Sequence, residues 1–165
     1  MTTLEKVLIV LAAIAAMEWV AWGAHKYIMH GPGWGWHRDH HEPHNNVLEK
    51  NDLFGLVGTV LAITMFTVGF YYSEPLWWSA VGVTAYGAIY TFIHDGLVHQ
   101  RFFRWVPKRG YAKRLVQAHK LHHATASKEG GVSFGFVLAR DPATLKAELK
   151  QQLREGRASL REAID

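Results

Sequence analysis

The sequence predicts an all-α integral membrane protein in which three or four transmembrane helices carry a helical, histidine-rich cap on one membrane face. Three observations lead there. Apolar residues, 49% of a 165-residue chain, collect in three long blocks. The second and third blocks are joined by so short a link that the chain must cross and return at once. The 11 histidines, in a chain without cysteine, fall in two ordered copies of one spacing pattern.

The blocks come first. Residues 4–24 are apolar apart from Glu5, Lys6 and Glu18, and residues 53–72 and 76–93 carry no charge. About 20 apolar residues, at roughly 1.5 Å rise each, cross a bilayer core. The first block could be a secretory signal, but it runs through Glu18, Trp19 and Trp22 straight into His25, where cleavage would remove part of the histidine pattern. A retained helix is therefore expected. Glu18, costly in lipid, is expected to face other helices or the site. The Ser73-Glu74-Pro75 link forces a helical hairpin.

Following the chain through these spans puts residues 25–52 and 94–140 on one side, so both copies of the pattern converge there. That side carries Arg38, Lys50 and a basic run from Arg101 to Lys128, whereas the hairpin tip has only Glu74. The positive-inside tendency makes the cap cytosolic and the N-terminus external. The same tendency, with lipid headgroup attraction, accounts for the basic balance without nucleic acid as a partner. The length suits one domain: residues 1–140 embedded in the membrane with their cap, and residues 141–165 as an amphipathic tail. In that tail Asp141-Pro142 resembles a helix start, and Leu145, Leu149 and Leu153 follow on one face. Residues 132–139 are too short to span and are expected to dip into the interface or pack on the hairpin.

The pattern reads His25-x4-His30 and His37-x2-His40-His41, then His94-x4-His99 and His119-x2-His122-His123. A single histidine on an apolar face is ordinarily a hydrogen-bonded core residue. Ten in duplicated order would repel when protonated and lack partners when neutral, unless they held metal. The x2 motifs put three rings on one side of a helix. The x4 pairs do not: five residues at 3.6 per turn leave side chains about 140° apart. Either the helix breaks between them, for which Gly31-Pro32 and Gly96 are available, or the two rings serve different metals. His44 is set apart because Pro43 disfavours helix at Glu42.

Ten imidazoles are enough for two metal ions with about five each, leaving positions for water or dioxygen, whereas a zinc site uses about four ligands. Histidine-only sites also hold zinc, so spacing leaves the metal open. The absence of cysteine excludes thiolate-bound haem, cysteine-bound iron–sulfur clusters and disulfides. Asp39 and Asp95, inside the motifs, are candidates to accept an imidazole N–H. Trp34 and Trp36 are candidates to line a substrate entrance, or are interfacial belt residues.

The residues around these motifs resemble the membrane-bound histidine-rich fatty acid hydroxylase superfamily and, within it, the bacterial β-carotene hydroxylases. The resemblance rests on Gly35-Trp-His37, His40-His-Glu42, Asn51-Asp-Leu53, His94-Asp-Gly-Leu-Val-His-Gln-Arg101, Arg109-Gly-Tyr through Arg114-Leu, His119-Lys-Leu-His-His-Ala124 and Lys128-Glu-Gly-Gly-Val-Ser-Phe-Gly-Phe136. It implies a non-haem di-iron monooxygenase of the bacterial inner membrane that uses O2 to hydroxylate C3 of the β-ionone rings of β-carotene, giving β-cryptoxanthin and zeaxanthin, with canthaxanthin to astaxanthin as a further conversion. It also implies all ten histidines as catalytic metal ligands for two iron ions. Electrons would come from reduced ferredoxin through a reductase and NAD(P)H, and the carotenoid would come from the bilayer. Four membrane helices are often drawn for the family, against three clear blocks here. Histidine spacing alone also admits a fatty acid or sterol hydroxylase, a desaturase or a carotenoid ketolase. A metal transporter is disfavoured, because residues 53–72 offer only Thr59, Thr64, Thr67 and aromatic hydroxyls at mid-membrane depth. The expected route for the polyene runs between the hairpin and the first helix.

Overall fold

The computed structural model describes residues 1–42 and 48–162, so Pro43 and His44 lie outside the described residues. Among the described residues all regular structure is helical. Helix α1 (Thr3–Gly23) starts at a capping box: Glu5 N–H donates to Thr2 Oγ1 at 3.3 Å while Thr2 N–H donates to Glu5 Oε2 at 2.7 Å. The short α2 (Trp34–His41) ends where Glu42 turns extended, as expected for a residue before proline. Helices α3 (Asp52–Tyr72) and α4 (Glu74–Thr91) form the hairpin, with Ser73 capping α4 and Pro75 in its first turn. Glu74 at the tip pairs with the Met1 amine at 3.1 Å and Lys6 Nζ at 2.9 Å, which puts the N-terminus and the hairpin tip at the same end.

Three helical stretches are long and apolar enough to cross a membrane: Thr3–Met29, Asp52–Tyr72 and Glu74–Val98. Their outer faces, with Leu4, Leu8, Leu11, Leu56, Val57 and Val60, are exposed, the inverse of a water-soluble surface. Helix α4 lies between the other two. A Cβ on Gly82 would come within 2.7 Å of the Val10 carbonyl oxygen, and one on Gly69 within 2.7 Å of Trp77 Cα, so both seams close backbone to backbone. The hydroxyls of Thr59, Thr64 and Thr67 donate to carbonyls one turn back, at 2.9, 2.8 and 2.9 Å, and are satisfied within their own helix. No fourth helix both long and apolar enough to span occurs among the described residues: α5 (Gly110–His122) has 13 residues, residues 132–139 are irregular, and the 21-residue helix that follows is rich in charge.

The cap is built on the far ends of these helices. Both α1 and α4 run on into a π-helical turn, Ala24–Met29 and Phe92–Val98. Helix α5 starts at Gly110, whose φ of 74° is one that glycine adopts without strain. Helix α6 (Pro142–Glu162) docks on α5 by burying Leu145 and Leu149 against Ala118 and Val132, while Leu153 stays exposed. The first part of the tail thus packs on the cap, while residues 150–156 are exposed.

Residues 132–139 fold back onto the spans through Glu18. Its Oε1 accepts from the backbone N–H of Phe136, Val137 and Leu138 at 3.0, 3.0 and 2.9 Å, and its Oε2 accepts from Tyr86 OH at 2.7 Å. The buried intramembrane carboxylate therefore serves as an anchor for the cap.

Candidate metal centre

The π turns answer the phase problem posed by the x4 spacing. In each, the N–H of the second histidine donates to the carbonyl of the first, five residues back: His30 to His25 at 3.0 Å and His99 to His94 at 2.9 Å. An i to i+5 bond stacks the fifth residue over the first. Neither a break nor separate destinations is used; the helix widens, and each pair points to one place.

All ten rings meet in two adjoining groups. In the first, one ring nitrogen each from His25, His30, His37, His41 and His122 lies within 4.8 Å of all the others. In the second the same holds for His40, His94, His99 and His119, and His123 places its Nε2 2.8 Å from that of His119. His41 and His123 stack across the junction, with centroids 4.4 Å apart. The membership crosses over. Each copy gives its x4 pair and the outer histidines of its x2 motif to one group, and the middle one, His40 or His122, to the other. Helix geometry explains this, since positions i and i+4 lie about 40° apart while i+3 falls about 60° to the other side.

Seven of the rings are held from behind. Nδ1–H donates to the carbonyl oxygens of Phe134 from His25 (3.0 Å), Lys128 from His30 (2.9 Å), Thr125 from His41 (3.0 Å) and Val132 from His122 (3.1 Å). It donates to Asn51 Oδ1 from His37 (2.7 Å), Glu49 Oε2 from His40 (2.6 Å) and Asp95 Oδ1 from His94 (2.7 Å). Acceptors of this kind fix the proton on Nδ1 and leave Nε2 as a lone pair.

Those lone pairs face each other. Nε2 to Nε2 separations are 3.1 Å for His25–His37, 3.2 Å for His37–His41, 3.2 Å for His30–His122 and 3.1 Å for His40–His94. With both protons committed elsewhere, no hydrogen bond joins such a pair, and two acceptors at this distance repel unless they share a cation. Two imidazoles bound at about 2.0–2.1 Å and subtending between a right angle and a tetrahedral angle lie roughly 2.9 to 3.4 Å apart. The spacing and the donor set therefore fit metal ions in both groups.

Electrostatics agree with that chemistry. Burial pushes the pKa of His37 and His99 down to about 3 and that of His41 to about 4, with neighbouring imidazoles adding to the shift. Burial also lowers His30 and holds His119, His122 and His123 well below the usual imidazole range. Neutral rings are what a metal requires.

The acids expected beside the histidines divide. Asp95 meets His94, and it also lies 3.7 Å from Arg101, which grips Asp52 through two hydrogen bonds of 2.9 and 3.0 Å. Asp39 instead accepts from the Lys50 backbone N–H at 2.7 Å, because it lies on the side of α2 away from His37 and His41; its Oδ1 is buried without a hydrogen-bond partner. Sequence reading missed Glu49, which lies in the α2–α3 connection outside any motif, and the role of Asn51, which it named only as part of the Asn51-Asp-Leu53 stretch. It also missed the four carbonyls, which any residue type can supply. The one local signal for them is backbone: Gly130 at φ 80° and Ser133 at φ 63° shape the loop that presents them.

Helices α1 and α4 touch at Gly82, in the half of the seam nearer the hairpin tip. Trp34 packs on His30, His37 and His41 with centroids 5.2, 6.0 and 5.4 Å away, and Trp36 packs on Phe54 at 5.4 Å. A cavity of about 580 Å³ adjoins His30 between α1, residues 128–140 and α6, and neither tryptophan lines it.

Residues 10–140 match the fatty acid hydroxylase family. A β-carotene hydroxylase of Paracoccus sp. (strain N81106 / MBIC 01143) is 55% identical over 87% of this chain and 90% of its own. One from Pseudescherichia vulneris is 52% identical over 94% of this chain and 88% of its own. A chloroplastic β-carotene 3-hydroxylase of Haematococcus lacustris is 40% identical over 79% of this chain and 42% of its own. No solved structure matches the chain.

Proposed function

The chain belongs to the fatty acid hydroxylase family and is a hydroxylase, and from that premise we propose that it hydroxylates C3 of the β-ionone rings of β-carotene, yielding β-cryptoxanthin and zeaxanthin, with canthaxanthin as a further substrate. The observation that carries the chemistry is the set of facing Nε2 lone pairs in two adjoining groups. The ten histidines would hold two iron ions. When bound, the irons supply O2 activation and the electron steps that put an oxygen atom into an unactivated C–H bond.

The protein's own part is placement and the exclusion of water. The seven acceptors behind the rings keep the imidazoles neutral and aimed before any metal arrives. Tyr90 stacks on His94 and Phe136 on His25, each with centroids 4.8 Å apart and planes inclined by 17°. Phe136 is held in turn by Glu18, so an aromatic wall shields the histidines where the spans end. This placement suits a substrate that resides in lipid. The basic run from Arg101 to Lys128 supports a site facing the cytosol across the bacterial inner membrane, where reduced ferredoxin, a reductase and NAD(P)H would supply electrons.

Expression in cells that accumulate β-carotene is the test, with pigments separated after growth in air. Zeaxanthin and its monohydroxylated precursor are the expected products. Unchanged β-carotene beside stable, metal-loaded protein and a working electron donor would overturn the substrate assignment, and a ketone or desaturated product would redirect it within the superfamily. Mössbauer spectra of anaerobically purified protein test the metal, and stoichiometric zinc in active protein would overturn iron.

A further inference from the structure

The cavity beside His30 has a volume of about 580 Å³, within the roughly 300–1,000 Å³ of small-molecule sites. Its lining mixes apolar and polar side chains, with Lys26 over the Trp22 ring at 5.2 Å. Trp19 and Trp22 come from the α1 span, and Trp19 and Leu138 are 66% and 57% exposed on the apolar outer surface. Lys128 and Glu129 from the cap, and Glu148 and Gln152 from α6, also line the cavity. The space thus joins the lipid-facing surface of a span to the polar cap, which suits an apolar molecule that enters from the bilayer and leaves with an added hydroxyl.

Phe134 and His30 form the inner wall. The Phe134 ring centroid lies 5.5 Å from His25, 5.2 Å from His30 and 5.2 Å from His122, three members of the first group. The backbone carbonyl of Phe134 is committed to His25, while its side chain takes no hydrogen bond and carries the Lys26 ammonium 6.0 Å from its ring centroid. Room for the ring depends on Gly131, where a Cβ would stand 3.3 Å from Phe134 Cζ.

Building on the carotene assignment, the geometry points to this cavity as the docking site for the substrate's end ring: the ring enters from lipid past Trp19, Trp22 and Leu138 and meets His30 directly, with the Phe134 side chain between it and His25 and His122. The polyene then trails along the outer surface of α1 into the bilayer.

The test uses the full chain, metal-loaded, in lipid nanodiscs without O2, so that β-carotene binds and is not consumed. Leu138→Trp fills the lipid-side mouth and leaves the Leu138 backbone bond to Glu18 in place; Val57→Trp adds similar bulk on the outer face of α3. Bound β-carotene is measured after free pigment is removed, alongside metal content. Leu138→Trp is expected to retain at least tenfold less pigment at unchanged metal content, with Val57→Trp like wild type. Retention equal to wild type in Leu138→Trp overturns the proposal. If Leu138→Trp also sheds metal, Trp19→Ala decides, because it removes wall without adding bulk: tenfold weaker retention supports the cavity and unchanged retention overturns it. In aerated cells, a wild type that makes no carotene product sinks the carotene assignment itself, whereas wild type and Leu138→Trp converting β-carotene equally well sinks only the docking site.

Discussion

Glu18→Ala is the most informative single change, because it tests whether the cap is tied to the membrane helices through one buried carboxylate. Glu18 is 6% exposed and accepts from three consecutive backbone N–H groups and from Tyr86. Removing it orphans the buried N–H of Phe136, at about 1–3 kcal/mol for an unsatisfied group. The half-buried N–H groups of Val137 and Leu138 and the Tyr86 hydroxyl lose a charged partner at smaller cost, and together the loss is roughly 3–6 kcal/mol. Glu18→Gln keeps one acceptor oxygen and turns an amide donor toward Val137, for a loss of about 1–3 kcal/mol. Thermal unfolding in nanodiscs gives the order wild type, Gln, Ala. Hydrogen exchange gives the location, since the amides of residues 136–138 should lose protection first. Metal content should fall in the alanine variant, because the same loop carries the Phe134 carbonyl that holds His25. Wild-type protection at residues 136–138 in Glu18→Ala would refute the reasoning whatever the melting temperature.

Three further outcomes follow from the centre. His40→Ala should deplete the second histidine group and His122→Ala the first, the reverse of what their neighbours in sequence would do; Mössbauer spectra of His40→Ala and His41→Ala that lose the same iron signal would contradict the crossover. Asn51→Leu removes the acceptor behind His37 and should weaken metal binding about 10–100-fold in equilibrium dialysis with the rest of the centre assembled, and undiminished affinity would deny Asn51 that role. In the metal-free protein, His37 and His41 titrate at about 3 and about 4 when folded and near 6.5 when unfolded. The unfolded chain therefore binds more protons below pH 6.5, and their contribution to stability is full above that pH and falls as pH drops toward 3–4. In mid-window these two sites give a slope of roughly 3 kcal/mol per pH unit, to be read from denaturation of metal-free protein between pH 7 and 5; stability rising on acidification would show that the rings are not buried neutral.

The spans were legible because lipid imposes a crude rule, about 20 apolar residues, and because Ser73-Glu74-Pro75 leaves no room for anything but a hairpin. The convergence of both motif copies on one face followed from counting crossings, and the Glu74 contacts with Met1 and Lys6 place the opposite end as that count requires. Glu18 was legible as a buried, partnered charge, but not its partners: backbone N–H groups of a loop more than 115 residues away leave no mark in side-chain identity. The x4 pairs were misjudged in the remedy rather than in the difficulty. A regular helix does splay His25 from His30, and glycines suggested a break, whereas the chain shifted its hydrogen bonds by one residue. Pattern counting with a period of 3.6 cannot register that, because the widened turn exists only when the end of the span is packed into the cap.

The crossover changes what the duplication means. Two copies of a histidine pattern would ordinarily suggest two half-sites, each able to form alone. Here the first group takes four rings from residues 25–41 and its fifth, His122, from α5, while the second takes His40 from α2 in return. The acceptors interlock in the same sense: His41 of α2 is held by the Thr125 carbonyl after α5, and His30 by the Lys128 carbonyl. Neither copy is complete until α2, α5 and the 125–134 loop are docked together, and that docking brings the lone pairs of His25–His37 and His40–His94 to about 3.1 Å. Ring nitrogens set this close repel unless a cation lies between them, so ion binding and cap assembly are coupled. A centre built this way has its stability invested in aim, and Phe136 and Tyr90, stacked on His25 and His94, belong to that aim.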